Sequence, residues 1–569
     1  MKTTFIIKDP KDIAHLILFF VSLVMLSCSP QKESGTENRS APDSSISAAE
    51  INDSSPERGD WLVQRLQAEP GTLNPIVATD YYESLVNSYI HETLITRDYR
   101  NPELWKPILA ESWEESPDHL VYTFHLRRGI QWHNGAPFTA ADVLYSYQVI
   151  MDPKTDCPHI RGYYQDVEKL EALDDYTIRF TFSKPFYLAF EMAGGITIVC
   201  KAAFDDGKDF NTHPMGRSPV GTGPYRFKEW KTGQEIVLER HPDYWGESIG
   251  LKSYVDRVVF RIAPDSIAAL QQLRAGQLDM MTRIDAVQWV TQLAGQNVTS
   301  LFNKFEFYLP GYSYIGWNSL KPYFADKRVR LAMTHLVDRE KFIEKVQFGL
   351  AKIVSGPMFF DSPYTNPNIK PWPYDPAKAK TLLEEAGWLD HDRDGIRDKD
   401  GVKFEFTFSI PAASKNGERI ATLLKEELDK IGISMQIQKL EWALFIQRVQ
   451  EKNFDAVTMA WSHPWSVDLY QIWHSSSAGP GGSNAVSFIN AEADELIERL
   501  RRTFDKEERY QICHRFHEIV HEEQPYTFLY CPAELLAVDK RFQGVETFRI
   551  RPGYDTSEWW VPKALQKYQ

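Results

Sequence analysis

Residues 109–153 read LAESWEESPDHLVYTFHLRRGIQWHNGAPFTAADVLYSYQVIMDP and contain three structural signals in a fixed order. Apolar and polar residues alternate over 120–126, which predicts a half-buried β-strand. The Asn-Gly pair at 134–135 predicts a tight turn. Thr139 and Asp142 form a capping box ahead of apolar residues at helical spacing, so a helix is expected to begin there. The stretch therefore predicts a strand, a turn and a capped helix.

The same patterns recur further along the chain. Alternating apolar residues over 176–182 and 403–410 predict two more strands. Asp375-Pro376 is expected to start a helix that Gly387 ends. An apolar helical stripe from Arg419 stops at Gly432, and a strand pattern follows it. Helices that alternate with strands predict the α/β fold class.

The composition of the chain limits the classes of function that it can have. A chain of 569 residues at 43% hydrophobic is long enough for several domains or lobes. Its 64 Lys and Arg stand against 78 Asp and Glu, and a net charge of −14 disfavours a nucleic-acid partner, which needs a basic face. An aromatic content of 13% suits the lining of a ligand cleft as well as a core.

The first residues form a targeting segment. Three lysines precede the apolar run LILFFVSLVML at 16–26, which is short for a membrane span and right for a secretory signal. Ser27-Cys28 after it resembles a bacterial lipobox, although Met25 and Leu26 depart from the usual pattern. We expect 1–28 to be a lipoprotein signal peptide with Cys28 lipidated; the alternative is a plain signal peptide.

Residues 29–56 are polar and rich in serine, which predicts a flexible tether. The other four cysteines, Cys157, Cys200, Cys513 and Cys531, form no CxxC pair. One disulfide is conceivable between them, but the sequence assigns no pairing.

Five segments, read in order, resemble one family. They are GTLNPIVATDYYESLVNSYIHETLITRD (71–98), the stretch 109–153 quoted above, GTGPYRFKEWKTGQEIVLERHPDYWG (221–246), YIGWNSLKPYFADKRVRLAMTHLVDREKFIEKV (314–346) and YDPAKAKTLLEEAGW (374–388). Together they resemble the family 5 extracellular solute-binding proteins, the oligopeptide, dipeptide and nickel receptors of ABC importers. The resemblance runs from about Trp61 to near the C-terminus.

The resemblance implies a two-lobed fold of the type II periplasmic-binding-protein kind, with an extra domain inserted in lobe I. Lobe I is expected at 57–95, 215–309 and 527–569, the inserted domain at 96–214 and lobe II at 310–526. The chain would cross between lobes near 310 and 526, and two crossings form a hinge.

The implied function is a non-enzymatic, monomeric, lipid-anchored receptor of the cell envelope that needs no cofactor or metal. It would capture a short peptide and present it to the permease subunits of an ABC importer. A metal complex or an oligosaccharide is the alternative ligand within the same fold.

Four stretches are candidates for the ligand-binding wall. Residues 78–84 supply Tyr81 and Tyr82, residues 311–319 supply Tyr314, Trp317 and Asn318, and residues 459–476 supply Trp461, Trp465 and Asp468. The fourth, GGSNAVSFIN at 481–490, supplies a Gly-rich turn. A roomy aromatic-lined cavity suits varied side chains, while strand-like hydrogen bonds hold the ligand backbone. The alternative for each aromatic residue is burial in a lobe core.

One departure from the family bears on the ligand. Peptide-binding relatives usually place an Asp in the stretch 461–468 to pair with the amino terminus of the ligand. Here His463 and Pro464 stand at the nearest positions, and Asp468 follows. Either Asp468 takes this role, or the ligand lacks a free α-amine in that place.

Two metal-like motifs remain. His517-Glu518-Ile519-Val520-His521 spells HExxH, and histidines at i and i+4 suit zinc, so a membrane-tethered zinc metallohydrolase is the alternative from another function class. Pro525 follows closely and no third ligand is evident, so we expect the histidines to lie on a solvent-facing flank of the helix. The acidic loop 390–401 carries DxDxDG; it suits calcium or a solvated turn.

Overall fold

The computed structural model describes residues 55–568. The signal peptide, Cys28 and nearly all of the tether predicted above lie outside the described residues. In the described range no helix combines the length and apolar character needed to cross a membrane.

The strands of the described residues belong to five sheets. They are β1 (Trp61–Leu66), β2 (Ile95–Arg97), β3 (Trp105–Pro107), β4 (Ala110–Glu115), β5 (Val121–Leu126), β6 (Val167–Asp174), β7 (Thr177–Phe182), β8 (Tyr225–Lys231), β9 (Glu235–Arg240), β10 (Arg257–Ile262), β11 (Met280–Met281), β12 (Phe302–Phe307), β13 (Gly311–Trp317), β14 (Ala351–Ile353), β15 (Asp398–Lys399), β16 (Val402–Lys403), β17 (Glu405–Pro411), β18 (Ser434–Leu440), β19 (Ala456–Ser462), β20 (Tyr526–Pro532) and β21 (Glu534–Asp539).

The α-helices are interleaved with these strands. They are α1 (Tyr81–Asn87), α2 (Ala140–Met151), α3 (Pro158–Arg161), α4 (Ala189–Gly194), α5 (Lys201–Phe204), α6 (Ser266–Arg274), α7 (Gln296–Thr299), α8 (Lys327–His335), α9 (Arg339–Val346), α10 (Pro376–Glu385), α11 (Lys415–Asp429), α12 (Trp442–Gln450), α13 (Tyr470–Trp473), α14 (Ala491–Arg502) and α15 (Lys506–Glu523).

Three sheets carry the fold. A 7-stranded sheet has the order β12-β21-β11-β1-β10-β9-β8, and a 6-stranded sheet has the order β14-β20-β13-β19-β17-β18. A 4-stranded sheet, β4-β5-β7-β6, is built from residues between β1 and β8 of the first sheet. Parallel pairs (β1 with β10, β17 with β18) and antiparallel pairs share these sheets, so the predicted α/β class is confirmed.

The stretch 109–153 folds as the sequence predicts. β5 lies between β4 and β7 and buries Tyr122 and Phe124. Gly135 has φ 84°, as the tight turn requires. The side chain of Thr139 caps α2, and the side chain of Asp142 accepts a hydrogen bond from the Thr139 N–H at 2.9 Å, which completes the capping box.

The two crossings lie where strands leave one sheet for the other. β12 belongs to the first sheet and β13 to the second, so the first crossing is at 308–310, close to the expected position. The expected second crossing near 526 is wrong, because β20 pairs with β13 and only β21 joins the first sheet. Residues 526–538 read as one apolar strand, but they form two strands joined at Ala533.

A buried charge cluster joins the start of β1 to the end of β21 in the first sheet. Arg541 is 5% exposed, and its Nε donates to Asp60 at 2.9 Å. Its Nη1 donates to Asp279 at 2.6 Å and to Asp539 at 2.9 Å. Because Asp60 precedes β1 and Asp539 ends β21, the cluster ties the start of the fold to its C-terminal segment.

Candidate functional site

A cavity of about 550 Å³ lies between the segment that carries β2, β3 and α4 and the end of β19 in the second sheet. Residues near β2, β3 and α4 form one wall, and the end of β19 with the loop after it forms the opposite wall. Pro310 of the first crossing and Arg551 of the C-terminal segment complete the lining. A volume of this size is typical of a ligand site rather than a packing defect.

Further cavities adjoin it along both crossings. A second cavity of about 530 Å³ lies beside β17 and β19 and is lined by Asn416, Trp442 and Pro532. A third, of about 200 Å³, shares Asn416 and Pro532 with the second and adds Arg283. A small one shares Arg283 with the third and Arg551 with the first. The shared walls outline one cleft that follows the two crossings.

Polar contacts connect the two walls of the first cavity. The carboxylate of Glu191 accepts a hydrogen bond from Arg97 at 2.6 Å and one from the hydroxyl of Ser466 at 2.6 Å. Arg97 and Glu191 line one wall, and Ser466 directly follows Trp465, which lines the other. A charge-assisted contact across the cleft stabilises the closed arrangement of the two walls.

A second carboxylate beside the first cavity, that of Glu103, also has protein partners. Glu103 accepts a hydrogen bond from Nε1 of Trp465 at 2.7 Å and lies 3.0 Å from the ammonium group of Lys506. These partners hold the pKa of Glu103 below its usual value, against the effect of burial. Both acidic groups beside the cavity are therefore committed to protein partners.

Unlike these two carboxylates, Arg551 and His463 each keep a polar atom without a partner among the described residues. Nη2 of Arg551 donates to the carbonyl of Pro310 at 3.1 Å, and the backbone N–H of His463 donates to the same carbonyl at 3.3 Å. Nε of Arg551 and Nε2 of His463 are buried without a hydrogen-bond partner among the described residues. Burial lowers the pKa of both side chains. Two polar atoms on one cavity wall are thus left for something else to satisfy.

Of the aromatic candidates, Trp465 lines the first cavity and Tyr81 lines the small one, under the guanidinium of Arg283 at 3.9 Å. Trp461 is half-buried against the core of the second sheet, one residue before the cavity lining begins at Ser462. Tyr82 donates from its hydroxyl to Gln67 at 2.9 Å and lines none of these four cavities.

Three predicted wall residues lie elsewhere. Tyr314, Trp317 and Asn318 are each 0% exposed. Nε1 of Trp317 donates to Thr527 at 2.9 Å, and the amide of Asn318 donates to the carbonyl of Phe454 at 2.7 Å. The reason is that β13 lies between β20 and β19 with buried residues on both faces, so core packing claims these side chains.

Asp468 does not take the amino-terminus role in this structure. Its carboxylate is paired with Arg501 at 2.7 Å, and it does not belong to the cavity lining. Conversely, sequence reasoning missed Arg97, Glu191 and Arg551. Their signal could not be read from local pattern, because their partners lie far away along the chain.

The HExxH motif forms no zinc site in the described part of the chain. The expected solvent-facing position is wrong: His517 is 0% exposed and accepts a hydrogen bond at Nδ1 from the N–H of Asn366 at 3.3 Å. The ring of His521 stacks on Trp372 with centroids 4.7 Å apart. Glu518 is paired with Arg515 at 2.8 Å. The segment carrying Asn366 and Trp372 covers the face that the helical pattern assigns to solvent.

The acidic loop keeps its donors together. Among the residues that the structure describes, Asp390, Asp392 and Asp398 are the one group of at least three His, Cys, Asp or Glu donors within 4.8 Å of one another. Lys403 pairs with Asp394 of the same loop, so the loop also neutralises itself. The four cysteines after residue 55 are free and buried.

Comparison with known proteins identifies relatives over nearly the whole chain. The sequence model of the bacterial extracellular solute-binding proteins, family 5, middle part, matches residues 105–483. The oligopeptide-binding protein AppA of Bacillus subtilis is 32% identical over 96% of this chain and 98% of its own. Heme-binding protein A of Haemophilus influenzae is 31% identical over 74% of this chain and 78% of its own.

A solved structure supports the same relationship. AppA of Bacillus subtilis in complex with a nonapeptide superposes with a TM-score of 0.76 at 31% sequence identity. The match covers 90% of this chain and 100% of that one.

Proposed function

The chain belongs to the family 5 bacterial extracellular solute-binding proteins, and we propose that it captures a short peptide between its two lobes and delivers it to the permease of an ABC importer. The observation that carries this proposal is the cavity of about 550 Å³, lined from both sides of the cleft and adjoined by further cavities along the crossings. An extended chain of several residues needs such an elongated space. A hydrolase would instead need a reactive constellation, and the HExxH residues are committed to packing and ion pairs.

The contacts across the cleft suit a receptor that closes on its ligand. Arg97, Glu191 and Ser466 join the two walls, while the crossings at 308–310 and 532–534 are short enough to act as hinges. We assign lobe I to the 7-stranded sheet, the inserted domain to the 4-stranded sheet and lobe II to the 6-stranded sheet, with the second boundary after β20. The separation of the three sheets supports this division.

Native mass spectrometry of protein purified without refolding tests the ligand class. We expect a co-purified short peptide, and titration calorimetry with that peptide should give one site per chain. Because one relative is named as a heme-binding protein, the mass analysis should also look for heme. A bound heme or sugar, with no peptide binding, would contradict the proposal.

We further propose that Cys28 carries a lipid anchor. The signal-like run at 16–26 and the polar tether at 29–56 support this assignment. Cys28→Ala should abolish labelling with a radioactive or clickable fatty acid and release the protein from membranes, with unchanged peptide affinity. Labelling that persists in the variant would disprove it.

A further inference from the structure

The first cavity offers one hydrogen-bond donor and one acceptor side by side. The side chain of Arg551 and the backbone N–H of His463 both donate to the carbonyl of Pro310. Burial and, to a smaller extent, the charge of Arg551 lower the pKa of His463, so the two residues are neighbours at the first crossing. Nδ1 of His463 lies 3.1 Å from the carbonyl of Pro464; because a carbonyl oxygen only accepts, Nδ1 carries the proton. Nε2 of the neutral ring is then an acceptor, and Nε of Arg551 is a donor.

The net charge of the wall is positive. Three charged side chains line this cavity: Arg97, Glu191 and Arg551. Glu191 is neutralised by Arg97 at 2.6 Å, whereas Arg551 has no ion pair among the described residues. The carboxylate of Glu534 acts on Arg551 from the small adjoining cavity, but it does not line the first cavity. An ammonium group placed in the first cavity would therefore meet Arg551 without a free carboxylate in the same lining.

A peptide unit satisfies both unpartnered atoms without charge. Its carbonyl accepts from Arg551, and its N–H donates to His463. Resting on the proposed function, we propose that the cavity at Pro310 takes an uncharged amide of the ligand, from an N-acylated terminus or an internal peptide segment, and that Arg551 and His463 select it over a free amino terminus.

Paired peptides test this selection. Random hexapeptides are prepared with a free or an acetylated amino terminus, each with a free or an amidated carboxyl terminus, and they compete at equal concentration for the full-length protein. Bound peptides are counted by native mass spectrometry. We expect the acetylated forms to bind more tightly than the free-amine forms, whichever carboxyl terminus they carry.

Two results would overturn the assignment. Equal binding of the two forms, or a preference for free amines, would mean that the cleft does not select against an ammonium group. A loss of about tenfold or more on amidation, with acetylation neutral, would mean that Arg551 holds a terminal carboxylate. If no form binds, the proposed peptide function itself fails, which is a separate outcome.

Variants assign the selection to these residues. His463→Asp adds a carboxylate beside Arg551 and should shift the competition toward free amines by about tenfold. Arg551→Gln should weaken both forms and reduce the preference. Arg549→Gln is the matched control, because Arg549 lies two positions away and is paired with Asp361 at 3.1 Å on the exposed surface. A shift caused by Arg549→Gln, or none caused by His463→Asp in a folded protein, would contradict the proposed roles of Arg551 and His463.

Discussion

Two arginines of the same C-terminal segment have opposite surroundings. Arg541 is 5% exposed and contacts three carboxylates, those of Asp60, Asp279 and Asp539. Arg551 lines the cleft, donates to one backbone carbonyl and keeps a buried Nε without a partner in the described part of the chain. Burial acts on both, but the carboxylates raise the pKa of Arg541 above its usual value, whereas the pKa of Arg551 is lowered.

The difference separates structure from recognition. A buried charge whose partners are all supplied by the fold contributes to holding the fold together, and removing it leaves its partners uncompensated. A buried polar group that the fold leaves unpartnered is unfavourable until a ligand satisfies it. The first pattern occurs where the start of the fold meets its C-terminal segment. The second points to the cleft in this case because Arg551 also lines the cavity.

Removing Arg541 from its cluster of three carboxylates should have the largest effect on stability. Arg541→Gln leaves Asp60 and Asp279 buried without their main counter-charge, so the free energy of unfolding should fall by about 3–5 kcal/mol. Denaturant titration followed by tryptophan fluorescence measures this loss. The surface variant Arg549→Gln should change stability by about 1 kcal/mol or less, and equal losses in the two variants would remove the distinction.

His517, for which burial outweighs the nearby charge of Glu518, extends the comparison to pH. Burial lowers the pKa of His517 from 6.5 to about 4. Between these values the unfolded chain binds a proton that the folded chain does not, so stability is complete above pH 6.5 and falls as the pH drops toward 4. The loss attributable to His517 should be on the order of 3 kcal/mol at pH 4.

Unfolding titrations of His517→Gln and the wild type at several pH values between 7 and 4 measure this contribution. The variant should lose less stability on acidification than the wild type. His159→Gln, which removes an exposed histidine, serves as the control and should follow the wild-type profile. Parallel profiles for all three proteins would contradict the role of His517.

Removing Arg551, whose Nε has no partner among the described residues, should lower peptide affinity rather than stability. Arg551→Gln should change the free energy of unfolding by about 1 kcal/mol or less, because the side chain has no ion pair to lose in the described structure. Peptide affinity measured by calorimetry should fall by about tenfold, as expected for a lost hydrogen bond from a charged donor. A large loss of stability with unchanged affinity would reverse the comparison.

The contact across the cleft should give the smallest effect. Ser466→Ala removes the hydrogen bond to Glu191 and the one that the hydroxyl accepts from Arg97, while Glu191 keeps its partner Arg97 at 2.6 Å. Peptide affinity should weaken by about threefold, because the closed arrangement loses a contact of about 1 kcal/mol or less. The exposed Ser248→Ala is the control; an equal change there would show that the loss is not specific to the cleft.

Local sequence patterns predicted much of the fold. The strand at 121–126, the cap at Thr139 and the helix that begins after Asp375 all follow from residues close in sequence, and the structure contains them. The site was predicted less well. Trp465 and Tyr81 line the cleft, but Trp317 is claimed by the core, and Arg97 and Arg551 carried no local signal.

The sequence by itself determined the elements, the α/β class and the family, because periodicity, caps and turns act over a few residues. Only the tertiary structure decided which side chains meet water. His517 lies on a helix face that reads as polar, yet Gly356 leaves room for its ring to pack closely and Asn366 supplies a hydrogen bond. Burial depends on which distant segment covers a side chain. The difference between the two arginines has the same origin: distant residues, Asp60 and Asp279, pair with Arg541, whereas no described residue pairs with Nε of Arg551.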